Sequence, residues 1–234
     1  MMEELQAIVF DMDGVLFDTE RLYMGAWRET AIERGIAGEE IEKTVIKCVG
    51  LNHTDIRDLF LREYGEAFPF EEYYRACGEC FRRKVEKDGL PMKPGVIELL
   101  SYLQTEGCRI ALASSTSLRG VKNHLERTGL TDYFETVVGG DMVEHSKPQP
   151  DIYLLACRML GVEPNKALAI EDSPNGIRSA HCAGLHPVMV PDMIQPTPEI
   201  RTLLYKECKS LLEVKEMLEQ EAEAGGRRIR VCQP

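Results

Sequence analysis

Long hydrophobic runs are missing from this sequence, and so is any excess of basic residues. No apolar stretch approaches the roughly 18 residues of a membrane-spanning helix, and none follows a basic N-terminal stretch as in a secretory signal. The 234 residues include 28 Lys and Arg against 39 Asp and Glu, which gives a formal net charge of −11. Nucleic-acid-binding surfaces need clustered Lys and Arg. We therefore expect a protein that binds neither membranes nor nucleic acids.

Cysteine patterns typical of disulfides or zinc sites are also scarce. The eight cysteines are scattered through the chain, and Cys48 and Cys108 have apolar neighbours, among which a reduced thiol simply packs. Cys77 and Cys80 form a C-x-x-C pair, but one pair without a second pair or a nearby His is a poor match to a zinc site. Reduced cysteines are typical of a cytoplasmic protein. We expect a monomer in that compartment.

Short apolar runs alternate with helical patterns over most of the chain. A continuous apolar run that ends in polar residues is typical of a central strand covered on both faces. Strands that alternate with helices predict an α/β fold with a parallel, Rossmann-like sheet. The predicted strands are 6–10, 109–113, 136–138, 167–170 and 187–190, and the predicted helices of this part are 95–106, 118–128, 150–161, 174–183 and 210–224.

A long segment without strands interrupts this alternation after the first strand. Glycine and proline divide it into four helical patterns at about 19–35, 39–47, 53–65 and 70–87. Lys93-Pro94-Gly95 then marks the return to the α/β pattern. The sequence therefore predicts two domains, a Rossmann-like core of residues 1–17 and 91–234 and an inserted four-helix cap of residues 18–90. The tail from Gly225 onward is predicted to be frayed.

Polar side chains follow four of the predicted strands at the points where those strands end. In an open α/β sheet, ligands bind beyond the carboxyl ends of the strands, so these side chains are expected to converge on one edge. Four carboxylates, two hydroxyls and an amine are involved. They are Asp11 and Asp13 after the first strand, Ser114 and Ser115 at the second, Lys147 several residues after the third, and Glu171 and Asp172 at the fourth.

This set of residue types is suited to phosphoryl transfer. A phosphate monoester dianion repels attacking anions, so its hydrolysis needs positive charge near the phosphoryl oxygens. Asp11 and Asp172 can hold Mg²⁺, which prefers oxygen ligands, and Lys147 supplies a second positive charge. With that charge offset, an Asp11 oxygen can attack phosphorus and form an aspartyl-phosphate. Asp13 can protonate the leaving alkoxide and later take a proton from water.

The other polar residues of this edge receive supporting roles. Ser114 can donate a hydrogen bond to a phosphoryl oxygen, and the run from Ser115 to Ser117 offers the amides of a helix N-terminus. Glu171 is expected to orient metal-bound water without binding the metal itself. The sequence therefore predicts a magnesium-dependent enzyme that acts on a small phosphorylated metabolite.

The four segments resemble the four motifs of the haloacid dehalogenase-like superfamily over roughly residues 5–205. Asp11-Met12-Asp13-Gly14-Val15 is similar to the nucleophile loop, and Ser114 to the second motif. Lys147 in Ser-Lys-Pro is similar to the third, and Glu171-Asp172-Ser173 to the fourth. The helical insert resembles the C1 cap of the β-phosphoglucomutase-like branch. The resemblance implies that the metal ligands are the Asp11 carboxylate, the Asp13 backbone carbonyl and the Asp172 carboxylate.

The resemblance leaves three functions open. Asp13 favours phosphate esters, because dehalogenases and phosphonate hydrolases of the superfamily lack an acid at that position. β-Phosphoglucomutases typically carry a His where this chain has Tyr23, and an Arg where it has His53, so a phosphatase is favoured over a mutase. A non-catalytic module that binds phosphorylated ligands is expected to lose Asp11, Asp13 or Asp172, and all three are present.

Substrate specificity is expected to reside in the cap, because the cap closes over the substrate in the resembling family. The candidate contacts are Tyr23, Asn52, His53 and Arg57. Cap movement is expected to exclude bulk water and to gate turnover. The junctions near 17–19 and 90–93 are the expected hinges.

Overall fold

A parallel β-sheet forms the centre of the protein. The computed structural model describes residues 5–48, 51 and 53–224. Within those residues the six strands are β1 (Ala7–Phe10), β2 (Arg109–Ser114), β3 (Thr136–Gly139), β4 (Ala167–Glu171), β5 (His186–Met189) and β6 (Lys206–Glu207). Their order across the sheet is β3-β2-β1-β4-β5-β6, and neighbouring strands all run parallel. This arrangement confirms the predicted α/β, Rossmann-like fold class.

Helices cover both faces of the sheet and form the insert after β1. The insert contains α1 (Thr19–Glu33), α2 (Gly38–Ile46), α3 (His53–Tyr64) and α4 (Phe70–Asp88). The remaining α-helices are α5 (Val96–Thr105), α6 (Leu118–Thr128), α7 (Asp151–Leu160), α8 (Pro174–Cys182), α9 (Pro198–Arg201) and α10 (Leu211–Ala224), and short 3₁₀ turns occupy Thr131–Tyr133, Gly140–Met142 and Pro164–Lys166. None of the described helices has the length and apolar content needed to cross a membrane.

Two short elements are absent from the sequence-based prediction. The strand β6 has only two residues, Lys206 and Glu207, and both are exposed. The helix α9 has four residues, with the Thr197 side chain accepting a hydrogen bond from the Ile200 amide at its start. Periodic apolar patterns need longer segments than these, so neither element leaves a signal in the sequence.

The alternation of side chains along the strands divides the core into two layers. Successive strand residues point to opposite faces of a sheet. Ile8 and Phe10 pack in a cluster with α5, α6 and α10, whereas Ala7 and Val9 pack in a second cluster with α7 and α8. Alanines dominate the strand positions of the second layer, so α7 can approach the sheet closely.

The insert has a separate aromatic core. Trp27 of α1, Phe60 of α3 and Tyr73 of α4 are buried together, and the Tyr73 hydroxyl donates to the Trp27 carbonyl at 2.9 Å. Two segments connect the insert to the sheet, and they pair with each other: the Asp18 amide donates to the Pro91 carbonyl at 2.9 Å. The exact domain boundaries at residues 18 and 90 stay predictions.

Candidate active site

The nucleophile candidate Asp11 lies at the centre of the carboxyl edge of the sheet. It directly follows β1, which lies between β2 and β4, with Phe10 level with Leu112 on one side and Ile170 on the other. The Asp11 amide donates to the Ile170 carbonyl at 2.9 Å. This pairing places Asp11 beside the last residues of both neighbouring strands. The Asp11 side chain is 9% exposed.

Lys147 reaches this edge from the loop before α7 and is buried among acceptors. Its Nζ donates to Asp11 Oδ1 at 2.6 Å, to Glu171 Oε1 at 2.7 Å and to the Ala113 carbonyl at 3.3 Å. The side chain is only 2% exposed. Burial disfavours the charged amine, but the carboxylates of Asp11 and Glu171 outweigh it and raise the pKa of Lys147. The cation is therefore fixed beside the nucleophile candidate.

Glu171 is held by donors on both of its carboxylate oxygens. Oε1 accepts from Lys147 and from the Tyr153 hydroxyl at 2.8 Å. Oε2 accepts from the Asp172 amide at 3.1 Å, the Ser173 amide at 3.3 Å and the Ser173 hydroxyl at 3.2 Å. A carboxylate with this many partners has one fixed orientation. Glu171 thus holds Lys147 in place, and its predicted effect on metal-bound water stays a prediction.

Replacing Gly176 with alanine is expected to destabilise the protein by about 1–3 kcal/mol, the usual cost of inserting a group into a packed interior. An added Cβ would lie 1.8 Å from Glu171 Oε1, and the donors of Glu171 prevent it from moving away. Gly78 on α4 is the matched control, because nothing lies within 4 Å of an added Cβ there. Gly78→Ala is expected to stabilise by about 0.5–1 kcal/mol. Urea unfolding of both variants measures the difference, and equal effects would contradict the fixed orientation of Glu171.

Asp13 accepts hydrogen bonds from three hydroxyl groups. Thr19 Oγ1 donates to its Oδ1 at 2.6 Å, while Ser114 Oγ at 3.2 Å and Thr116 Oγ1 at 2.9 Å donate to its Oδ2. The donors come from the start of α1 and from the end of β2, so the insert and the sheet both orient this carboxylate. An oriented carboxylate at the edge of the site is suited to general acid–base catalysis.

The two predicted phosphate-binding serines have different surroundings. Ser114 is fully buried; besides donating to Asp13, its hydroxyl accepts from the Thr116 amide at 3.1 Å. Ser115 is half-buried, and its backbone carbonyl lies against Gly140, where an added Cβ would approach to 2.2 Å. The structure therefore gives Ser114 an existing partner in the site, and phosphate binding by either serine stays a prediction.

Three buried carboxylates lie close enough together to hold a metal ion. One ligand atom from each of Asp11, Glu171 and Asp172 lies within 4.8 Å of the others. Burial raises the pKa of Asp11 to about 8 despite Lys147, and burial followed by the charge of Glu171 raises that of Asp172 well above its usual range. Excess buried negative charge of this kind fits a divalent cation with oxygen ligands.

Close packing also fixes Asp172. The Gly14 backbone has φ +79°, and an added Cβ there would lie 2.3 Å from Asp172 Oδ2. Only glycine adopts this conformation without strain and leaves room for the carboxylate. Because five donors already bind Glu171, Asp11 and Asp172 are the carboxylates of this cluster that fit the predicted magnesium ligands.

The predicted substrate contacts in the insert have different positions. Tyr23 is stacked on Phe81, with ring centroids 3.9 Å apart, and burial together with the charge of Asp13 raises its pKa. His53 Nε2 lies 3.2 Å from Glu71 Oε2 and Arg57 Nε lies 3.7 Å from Glu71 Oε1. The structure thus places Tyr23 near Asp13, but joins His53 and Arg57 to an acidic residue of the insert. Asn52 lies outside the described residues.

Residues to which the sequence assigned no side-chain role also lie near Asp13. Thr19 and Thr116 are its hydrogen-bond partners, and Glu20 is close enough for burial and the charge of Asp13 to raise its pKa to about 8. Burial, followed by the charge of Asp13, also raises the pKa of Tyr74 of α4. Thr19, Glu20 and Tyr23 follow the spacing of one helix face, which is the signal that could have identified the first two.

A cleft of about 910 Å³ separates α3 from the loop that carries Lys147. Arg57 and Arg62 line it from the insert, and His145 and Lys147 line it from the loop. Ser146 donates a hydrogen bond to Asp55 across the same cleft. Asp11 is not among the lining residues. Lys147 both lines the cleft and contacts Asp11, so it connects the cleft to the carboxylate cluster.

Comparison with known proteins gives a consistent family. The sequence matches a model of the haloacid dehalogenase-like hydrolases over residues 5–184. It is 34% identical over 182 residues to a phosphorylated carbohydrates phosphatase of Thermotoga maritima, a match that covers 77% of this chain and 82% of that protein. It is 31% identical over 185 residues to hexitol phosphatase A of Escherichia coli, with 79% and 82% covered.

The fold is also similar to that of solved structures. The structure of CbbY from Rhodobacter sphaeroides, solved as a variant in complex with xylulose-(1,5)bisphosphate, superposes with a TM-score of 0.76 at 31% identity. That match covers 89% of this chain and 96% of the CbbY chain. It therefore includes the insert as well as the sheet.

Proposed function

Because this chain belongs to the haloacid dehalogenase-like hydrolases, and two of its relatives there are phosphatases, we propose that it is a magnesium-dependent phosphatase of a phosphorylated sugar or polyol. The observation that carries this proposal is the Lys147 amine, which contacts Asp11 Oδ1 at 2.6 Å inside a buried carboxylate cluster. A cation so placed lies beside the nucleophile and the transferred phosphoryl group, where charge stabilisation is most effective.

The first step transfers the phosphoryl group to Asp11. Since Lys147 occupies Oδ1, Oδ2 is the oxygen that attacks phosphorus. The new Oδ2–P bond forms as the ester P–O bond breaks, and Asp13 donates a proton to the departing alkoxide. In the second step Asp13 takes a proton from water, the water oxygen attacks phosphorus, and inorganic phosphate leaves while the Asp11 carboxylate is regenerated.

The donor set of the site fits Mg²⁺. Asp11 and Asp172 would hold the ion through their carboxylates and Asp13 through its backbone carbonyl. When bound, the ion offsets the negative charge of the carboxylates and of the phosphoryl oxygens. Burial raises the pKa of Asp11 despite the charge of Lys147, so a bound cation would favour the ionised nucleophile further.

The choice of a sugar or polyol phosphate rests on the relatives and on the residues around Asp13. One relative acts on phosphorylated carbohydrates, another is a hexitol phosphatase, and the CbbY variant holds a sugar bisphosphate. Here Glu20 and Tyr23 of α1 supply a carboxyl and a phenol group close enough to Asp13 for its charge, after burial, to raise the pKa of each. Such groups can exchange hydrogen bonds with substrate hydroxyls.

Phosphate release from a panel of monoesters tests this proposal. The panel contains p-nitrophenyl phosphate, phenyl phosphate, hexose phosphates, hexitol phosphates and nucleoside monophosphates, with and without Mg²⁺. We expect release that requires Mg²⁺, with the highest kcat/KM on a hexose or hexitol phosphate. An Asp11→Asn preparation controls for contaminating phosphatases. No release from any ester would contradict the proposal, and conversion of β-glucose 1-phosphate to glucose 6-phosphate would identify a mutase instead.

A further inference from the structure

An ion-pair network centred on a buried carboxylate joins the insert to the core. Asp192 lies three residues beyond β5, and its side chain is only 3% exposed. Its Oδ1 lies 2.8 Å from Arg21 NH1 and 2.8 Å from Lys93 Nζ. Arg21 belongs to α1 and Lys93 to the segment that returns from the insert. A single carboxylate of the core therefore binds both connections to the insert.

Backbone pairing makes those two connections one unit. The Asp18 amide donates to the Pro91 carbonyl, and the Lys93 amide donates to the Leu16 carbonyl, both at 2.9 Å. Arg21 NH1 also contacts Asp18 Oδ1 at 2.7 Å. Because the segments are paired, a contact that fixes one of them also restrains the other.

The core end of this network is anchored beside the carboxylate cluster. The Val190 amide, two residues before Asp192, donates to the Glu171 carbonyl at 2.7 Å. Among the described residues no donor binds Asp192 Oδ2, although this oxygen is buried. A buried carboxylate oxygen without a donor costs stability, so the position of Asp192 is better explained by what it holds than by the stability it adds.

The insert end of the network leads to Asp13. Arg21 lies in the first turn of α1, two residues after Thr19, which donates to Asp13 Oδ1 at 2.6 Å. The Asp18 side chain makes no capping hydrogen bond to this turn. The first turn of α1 is thus held on one side by Asp13 and on the other by Asp192 through Arg21.

We propose that Asp192 is a positioning residue for the general acid Asp13. By binding Arg21 and Lys93 it fixes the first turn of α1, from which Thr19 orients the Asp13 carboxyl towards the leaving group. This inference rests on the proposed phosphatase function. Asp192 itself does not contact the reacting atoms.

The test compares two substrates of nearly equal shape that differ in their need for an acid. The phenolate of phenyl phosphate needs a proton as it leaves, whereas p-nitrophenolate is a far weaker base and leaves readily without one. We expect Asp192→Asn to lower the ratio of kcat/KM for phenyl phosphate to that for p-nitrophenyl phosphate by about tenfold, part of the 10²–10⁴-fold that general acid catalysis contributes. A purely structural defect lowers both values equally and leaves the ratio unchanged.

Three further variants make the result decisive. Arg21→Gln, at a side chain that is 56% exposed, removes the same contact if Asp192→Asn does not fold, and the same fall in the ratio is expected. Glu135→Gln breaks an exposed ion pair with Arg109 at the start of β2 and is expected to leave the ratio unchanged. In a Thr19→Val background, Asp192→Asn is expected to lower the ratio no further, because both changes act through the hydrogen bond from Thr19 to Asp13.

The inference would be overturned by an unchanged ratio in Asp192→Asn or in Arg21→Gln. It would also be overturned if Asp192→Asn lowered the ratio by the full amount again in the Thr19→Val background. In either case Mg²⁺-dependent turnover of the wild-type protein would leave the proposed function intact. Absence of Mg²⁺-dependent turnover in the wild-type protein would overturn both.

Discussion

Replacing Asp11 with asparagine is expected to reduce kcat by about 10⁴-fold or more, because the loss of a nucleophile removes the covalent route altogether. The asparagine amide has the shape of the carboxyl group but no oxygen able to form the phosphoryl intermediate. Phosphate release under saturating Mg²⁺ measures the loss. Asp141→Asn is a matched control of the same chemistry at an exposed position beyond β3, where the carboxylate accepts from the Leu118 amide. It is expected to retain most of the activity.

Asp11→Asn is also expected to be more stable than the wild-type protein when no metal is bound. Burial raises the pKa of Asp11 from 3.8 to about 8, so the folded wild-type protein holds a proton that the unfolded chain releases. The free energy of unfolding of the wild-type protein therefore falls as the pH rises from about 4 to about 8, through this group. Asparagine does not titrate, so the advantage of Asp11→Asn grows across that interval.

Chemical denaturation in a chelator at pH 5 and pH 8 measures this difference. Adding Mg²⁺ is expected to stabilise the wild-type protein more than the variant, because a ligand stabilises the state that binds it. A wild-type protein that gains stability relative to Asp11→Asn as the pH rises would show that Lys147 outweighs burial at this carboxylate. The carboxyl group of Asp11 is therefore expected to lower the stability of the metal-free protein.

The parts of the site that follow directly from strand ends were predictable from the sequence. Asp11, Lys147 and Asp172 each occupy a position that the parallel sheet brings to one edge, and the apolar runs that define the strands are read easily. Asp13 was predictable for the same reason. The fold class followed from the alternation of these runs with helices.

The contacts made by the insert were not predictable to the same degree. Amphipathic patterns indicate that a helix buries one face, but they do not determine which of its polar residues reach a site on another segment. His53 and Arg57 were predicted as substrate contacts because they belong to the insert, and the structure pairs both with Glu71. Thr19, on the other hand, reaches Asp13.

Asp192 illustrates a second limit. It lies in a loop after β5 without any recognisable motif, and its partners Arg21 and Lys93 are distant from it in sequence. Single charged residues are common in loops, so their identity alone carries no information about pairing. Only the three-dimensional arrangement of the two segments that flank the insert shows that one carboxylate binds both of them.

Replacing Lys147 with methionine is expected to destabilise the protein by about 3–5 kcal/mol, the usual cost of removing one partner from a buried charge pair. The side chain is 2% exposed, and its removal leaves Asp11 and Glu171 facing each other without the intervening cation. Turnover is expected to fall by about 10³-fold, as when a preorganised donor is lost from an active site. Thermal unfolding and phosphate release measure the two effects.

Lys215→Met provides the matched control for this prediction. Lys215 also pairs with a carboxylate, Glu219, and its Nζ lies 5.3 Å from the ring centre of Tyr102, while that of Lys147 lies 5.2 Å from Tyr153. The side chain of Lys215 is 28% exposed, so its replacement is expected to cost no more than about 1 kcal/mol. Equal losses of stability in the two variants would show that Lys147 contributes no more than an ordinary exposed ion pair.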